Sequence, residues 1–123
     1  MLREQDLEGL YEMLERMKTQ PFDSRTRIEI EQTSHRPCME PHEATKRLLK
    51  ELNLAGEEVG QKPTWLVTGG VSDGNFVSPF GVATLDGCGP CGGKLHTREE
   101  YLKTASVAQR FDLMTALLKR LYP

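Results

Sequence analysis

A chain of 123 residues has the usual size of one domain, and 37% hydrophobic with 28% charged residues places it among globular proteins rather than disordered ones. Its 16 basic and 18 acidic residues leave a net charge of −2, no basic stripe interleaves with aromatics, and no apolar run reaches bilayer length, so neither nucleic acid nor a membrane is expected as a partner. Three cysteines, an odd number, do not make a secreted disulfide framework, and the charged opening MLREQDLEGL lacks the apolar block of a secretory or targeting segment; a cytoplasmic address is expected.

From Glu4 to Lys18, Leu7, Leu10, Tyr11, Leu14 and Met17 recur at helical spacing opposite Asp6, Glu8, Glu12 and Glu15, which predicts an amphipathic helix. Pro21 and Asp23-Ser24 break it. Thr26 to Glu31 then alternates Ile28 and Ile30 with charged residues, as a half-buried strand does. The segment SHRPCMEP, 34–41, holds two prolines and no periodicity, so it reads as a stiff connector, with the boundary between two units, 1–35 and 36–123, placed there.

A second helix is predicted from about Glu43 to Leu54, burying Ala44, Leu48 and Leu52 and ending by Gly56. TWLVT, 64–68, is a covered strand by its apolar run, and Val82 to Leu85 makes another. Between them Ser72-Asp73 is expected to cap a short helix through Phe76 that Pro79 keeps from extending far. The loop 86–94 carries four glycines and a proline, Thr97 and Glu100 have capping-box spacing, and so do Ser106 and Gln109. Val107, Phe111, Met114, Leu118 and Leu121 then mark the buried side of a long final helix. The order helix, strand, helix, strand, helix over 42–123 is that of an α/β layer with parallel strands covered on both sides. Two strands make a thin sheet, so further strands are expected from elsewhere.

Candidate chemistry concentrates between Gly69 and Glu100, in two glycine-rich loops that each follow an expected strand, where α/β proteins place their sites. Cys88-Gly89-Pro90-Cys91 matches the dithiol tetrapeptide of thioredoxin-like oxidoreductases, but Gly92-Gly93 stands where that fold starts a helix. Cys38, Cys88, Cys91 and His96 are the residue types of a structural zinc site, but only one C-x2-C pair is in place. The bland alternative is that Cys88 and Cys91 are small buried loop residues.

GGVSDGNF (69–76), GVATLDGCGPCGG (81–93) and LHTREEY (95–101) together resemble the closing segment of the di-zinc exopeptidase and amidohydrolase family, which includes glutamate carboxypeptidases, acetylornithine deacetylases and succinyl-diaminopimelate desuccinylases. The likeness covers 64–121 well and extends upstream, where the first helix and strand resemble the end of that family's lid, or dimerisation, domain. It implies a partial α/β catalytic domain, helices on a small mainly parallel sheet, preceded by a helix-strand remnant of the lid. His96 matches the histidine that holds one of the family's two zinc ions. Ser72, Asp73 and Asn75 match residues that line or brace the substrate side, and glycine amides among Gly89, Gly92 and Gly93 match a loop that approaches a carboxylate or oxyanion. His35 and His42, beside the connector, are expected to face solvent.

This sequence departs from the family pattern at Ala83 and Cys38, where proline is usual, and at Cys88, Cys91 and Lys94, where small residues are usual. The resemblance supplies one metal ligand, whereas a catalytic zinc needs about three from protein. No catalytic residue is therefore assigned. The chain is expected to be inactive alone, its substrate in a complete protein being a peptide or N-acyl amino acid. The other expectation is a non-catalytic remnant that forms a homodimer or exchanges elements through open strand edges.

Overall fold

The computed structural model describes residues 6–123. Helix α1 spans Leu7–Thr19, and Glu4 and Gln5, the expected start of that helix, lie outside the described residues. It ends with Gln20 N–H on the Arg16 carbonyl, and Asp23 turns the chain by accepting from the Arg25 and Thr26 backbone and from the Arg25 guanidinium. Residues 26–34 form neither helix nor strand, with Ile28 and Ile30 half-buried between exposed Arg27, Glu29 and Glu31. The expected alternation is present without a ladder. Gln32 Nε2 donates to Tyr11 Oη at 3.2 Å, tying this segment to α1.

Helix α2, Glu43–Glu58, runs past the expected stop at Gly56. Its end is a Schellman closure four residues later: Gly60 is left-handed (φ 68°), Gln61 N–H reaches the Gly56 carbonyl at 2.7 Å and Gly60 N–H reaches Glu57 at 3.3 Å. Gly56 serves a different need, because a Cβ there would sit 2.6 Å from Pro63 Cδ and 2.7 Å from the Gln61 carbonyl. The chain folds back over that bare position. Helix α3, Gly74–Val77, continues through a 3-10 turn, Ser78–Phe80, so Pro79 shapes the segment without stopping it; left-handed Gly81 (φ 79°) does that.

The core lies where α2 packs on α4, Ala105–Leu121. Leu52 and Ala55 meet Leu113, Ala116 and Leu117, with Leu48, Leu49, Val59, Leu85 and Met114 around them. At the rim, Arg120 pairs with Glu51 and Glu58, and Gln61 Nε2 donates to the Gln109 carbonyl. The buried side of α4 corrects the sequence reading. Val107, Phe111 and Leu118 are exposed, while the face of Ser106, Leu113, Ala116 and Leu117 is sealed, because that is the side α2 covers.

The parallel sheet expected from 64–68 and 82–85 is not formed among the described residues. The ladder present there is antiparallel and two residues long, β1 (Gly92–Gly93) against β2 (Tyr101–Leu102). Residues 64–68 form no helix or strand and are exposed, Leu66 at 76%. In 82–85 the backbone is bonded by side chains instead of by a strand: His42 Nε2 lies 3.1 Å from the Val82 carbonyl, and Thr84 N–H reaches buried Thr45 Oγ1 at 3.4 Å. A covered apolar run signals a strand, but a ladder exists only where a second backbone lies alongside.

Candidate functional site

The turn that carries His96 is built from local bonds. Lys94 (φ 55°) and His96 (φ 64°) are both left-handed, a conformation uncommon for residues with a Cβ, though histidine adopts it more readily than most. Thr97 Oγ1 donates to the Lys94 carbonyl at 2.7 Å and accepts from Glu99 N–H at 3.2 Å. Glu100 Oε2 accepts from His96 N–H at 3.1 Å, and Lys94 pairs with Glu99. The expected capping box is thus shifted: the carboxylate reaches back one residue before Thr97, and the segment makes turns rather than a helix. These contacts fix the backbone of His96 and leave its side chain exposed.

The first glycine-rich loop, 69–76, is braced by Asn75, which is 8% exposed. Its Oδ1 accepts from Ser72 N–H and its Nδ2 donates to the Pro37 carbonyl, both at 2.8 Å, so this amide stitches the loop to the 34–41 connector. Ser72 Oγ accepts from Gly74 N–H, the first residue of α3, while Asp73 makes no cap bond and instead pairs with Arg36. Arg36 also lies over the Phe76 ring, 4.9 Å from its centroid. Sequence reasoning passed over Arg36, which nothing in the mixed polar connector SHRPCMEP sets apart.

Of the three glycines, Gly92 and Gly93 are held by packing: a Cβ would lie 2.4 Å from the Tyr101 carbonyl at Gly92 and 2.8 Å from Tyr101 Oη at Gly93. Gly89 has open space around it. A cleft of about 830 Å³ opens between the 64–71 segment and the α2/α4 pair, lined among others by Cys38, Trp65, Asn75, Cys88 and Arg110; His96 is not on it. His35 is exposed as expected, whereas His42 is half-buried on the Val82 carbonyl, because the 82–85 segment lies across the start of α2.

Metal fit is decided by donor number. Among the described residues no group of three His, Cys, Asp or Glu is placed to hold an ion, so Cys38, Cys88, Cys91 and His96 do not gather into a structural zinc site. The helix start that a thioredoxin-like fold places at its dithiol is not there: the next helix after the cysteine pair, α4, begins at Ala105.

The model of peptidase family M20/M25/M40 matches residues 5–120. The chain belongs to this family. Succinyl-diaminopimelate desuccinylase 2 of Alteromonas mediterranea is 37% identical to it over 78 residues, 63% of this chain and 20% of that protein. This M20 chain thus spans far less than the length of the curated relative it matches. No solved structure matches it. Among the described residues no helix is long and apolar enough to cross a membrane.

Proposed function

We propose that this M20 chain is the carboxy-terminal segment of a zinc-dependent exopeptidase or deacylase that hydrolyses an amide bond in a peptide or N-acyl amino acid, and that it is inactive by itself. The observation that carries the reading is the family match across nearly the whole chain, joined to the left-handed, multiply bonded turn that presents His96. In a complete protein His96 supplies one zinc ligand, and the metal's chemistry there is to activate water. The donor set of the described residues is smaller than the three ligands a catalytic zinc needs, so the remaining ligands belong to the rest of the complete protein. Ser72 and Asn75 shape the loop beside the substrate, Asn75 through its two backbone bonds. The amides at Gly89, Gly92 and Gly93 offer donors to an anionic group.

Two assays test this. The purified 123-residue chain with added zinc is expected not to cleave N-succinyl or N-acetyl amino acids, and zinc-dependent turnover would overturn the inactivity. In a chimera where residues 64–121 replace the matching segment of the Alteromonas desuccinylase, His96→Ala is expected to lower kcat/KM by about 100-fold or more and to release zinc; retention of both would remove His96 from the site.

A second reading, a non-catalytic chain that associates with itself, is favoured by one feature: Leu66, Val67 and Phe111 are all exposed. It requires a concentration-dependent dimer by light scattering, and a strict monomer would end it.

A further inference from the structure

The cysteine pair, which the hydrolase reading leaves unused, sits beside a cation on a fixed backbone. Cys91 N–H donates to Ser106 Oγ at 2.8 Å, and its carbonyl accepts from Lys103 N–H at 2.9 Å. Ser106 is buried in the first turn of α4. One turn further along the same helix, Arg110 Nη2 donates to Cys91 Sγ at 3.3 Å. Cys88 precedes by three residues, half-buried on the wall of the cleft that Arg110 also lines.

The environments of the two sulfurs differ in kind. Burial pushes the Cys88 thiol up, Asp86 adds to this and Arg110 opposes it, so Cys88 keeps its proton. Cys91 has a guanidinium donating to its sulfur at 3.3 Å, which sets a cation and a hydrogen-bond donor beside the atom that attacks in the exchange. A pair in which one sulfur attacks and a protonated neighbour follows is the arrangement that thiol–disulfide exchange uses.

We propose that Cys91 is a nucleophilic thiol site and that Cys88 and Cys91 together form a dithiol that exchanges with small, glutathione-type disulfides. The Cys91 thiolate attacks one sulfur of R–S–S–R; a Cys91–S–S–R bond forms, the R–S–S–R bond breaks, and R–S⁻ leaves to take up a proton from solvent. Cys88 then gives its proton to solvent as its sulfur attacks that of Cys91, which closes the Cys88–Cys91 bond and expels the second R–S⁻. Two protein thiols are oxidised and one small disulfide is reduced to two thiols. The ring so closed spans Gly89 and Pro90, immediately ahead of β1. This assignment is independent of the hydrolase reading and stands if that reading fails.

The test treats the full chain with oxidised glutathione and maps products by mass spectrometry. The expected product is a chain short of two hydrogens, with the bond at Cys88–Cys91. Cys88→Ser is expected to trap one glutathione on Cys91, and Arg110→Met to slow alkylation of Cys91 by iodoacetamide several-fold, while Arg110→Lys recovers part of the rate. A Cys38–Cys88 bond, an adduct that forms first on Cys38 or Cys88, or an unchanged Cys91 rate in an Arg110→Met chain with unaltered circular dichroism would overturn the proposal. Since the mapping and Cys88→Ser arms leave Arg110 in place, poor folding of its variants does not shield the idea.

Discussion

Helix α1 sets Leu7, Leu10, Leu14 and Met17 along one side and buries none of them, whereas α4 seals Leu113, Ala116 and Leu117 against α2. Both helices satisfy the same periodicity rule. The difference lies in what reaches them: α1 has the 26–34 segment beside it, tied through Tyr11 and Gln32, while α4 has a whole helix packed along it. Spacing therefore reports that a face exists, and packing decides whether it becomes core. Helix α4 makes the point twice, for its most regular stripe, Val107, Phe111 and Leu118, is the exposed one.

The sharpest way to break this contrast is to cut into each helix. Leu113 is 1% exposed, so Leu113→Ala is expected to destabilise the chain by about 2–5 kcal/mol, seen as a lower urea midpoint by circular dichroism. A loss under about 1 kcal/mol would mean that the α2/α4 contact is loosely packed. Next in size is Gly56→Ala. The added methyl meets the Gln61 carbonyl, which as backbone cannot swing aside, so a net loss of about 1–2 kcal/mol is expected despite alanine's better helix propensity. A gain in stability would show that the 61–63 segment yields.

Leu14→Ala, on the apolar side of α1, should move the same midpoint by no more than about 0.5 kcal/mol; a loss as large as that of Leu113→Ala would show that α1 is covered in solution. The smallest effect concerns Glu43, whose carboxyl is held below its ordinary value by the Lys46 ammonium 2.6 Å away. A depressed carboxyl pKa stabilises the folded chain above the unfolded-state value and loses that contribution as pH falls through the folded-state value. Glu43→Gln should thus melt slightly below the unaltered chain at neutral pH, and the two curves should converge under acid. A gap that widens under acid would contradict the assignment.

The same division between local and long-range effects runs through the site. The turn at 94–100 was legible because its chemistry is local: Thr97, Glu99 and Glu100 bond within a few residues of themselves, and what differed from expectation was the register of the carboxylate and turns in place of a helix start. Asn75 was legible as a brace for its loop, but its partner, the Pro37 carbonyl, lies 38 residues away and left no trace in the spacing. The same is true of Arg110 on Cys91 and of His42 on Val82, contacts between residues that no periodicity relates.

By itself the amino-acid sequence determined the helices at 7–19, 43–58 and 105–121 to within a turn at most ends, the break at Pro21, the alternation of Ile28 and Ile30 with charged neighbours, and the ordered motifs that mark the family, since each depends on residues close together in the chain. The tertiary structure alone decided which side of α4 is core, that 82–85 is held by His42 and Thr45 rather than by a neighbouring strand, and that a guanidinium rests on Cys91. Burial, ladders and charge pairs require a second segment in contact, and which segment arrives is a property of the whole fold.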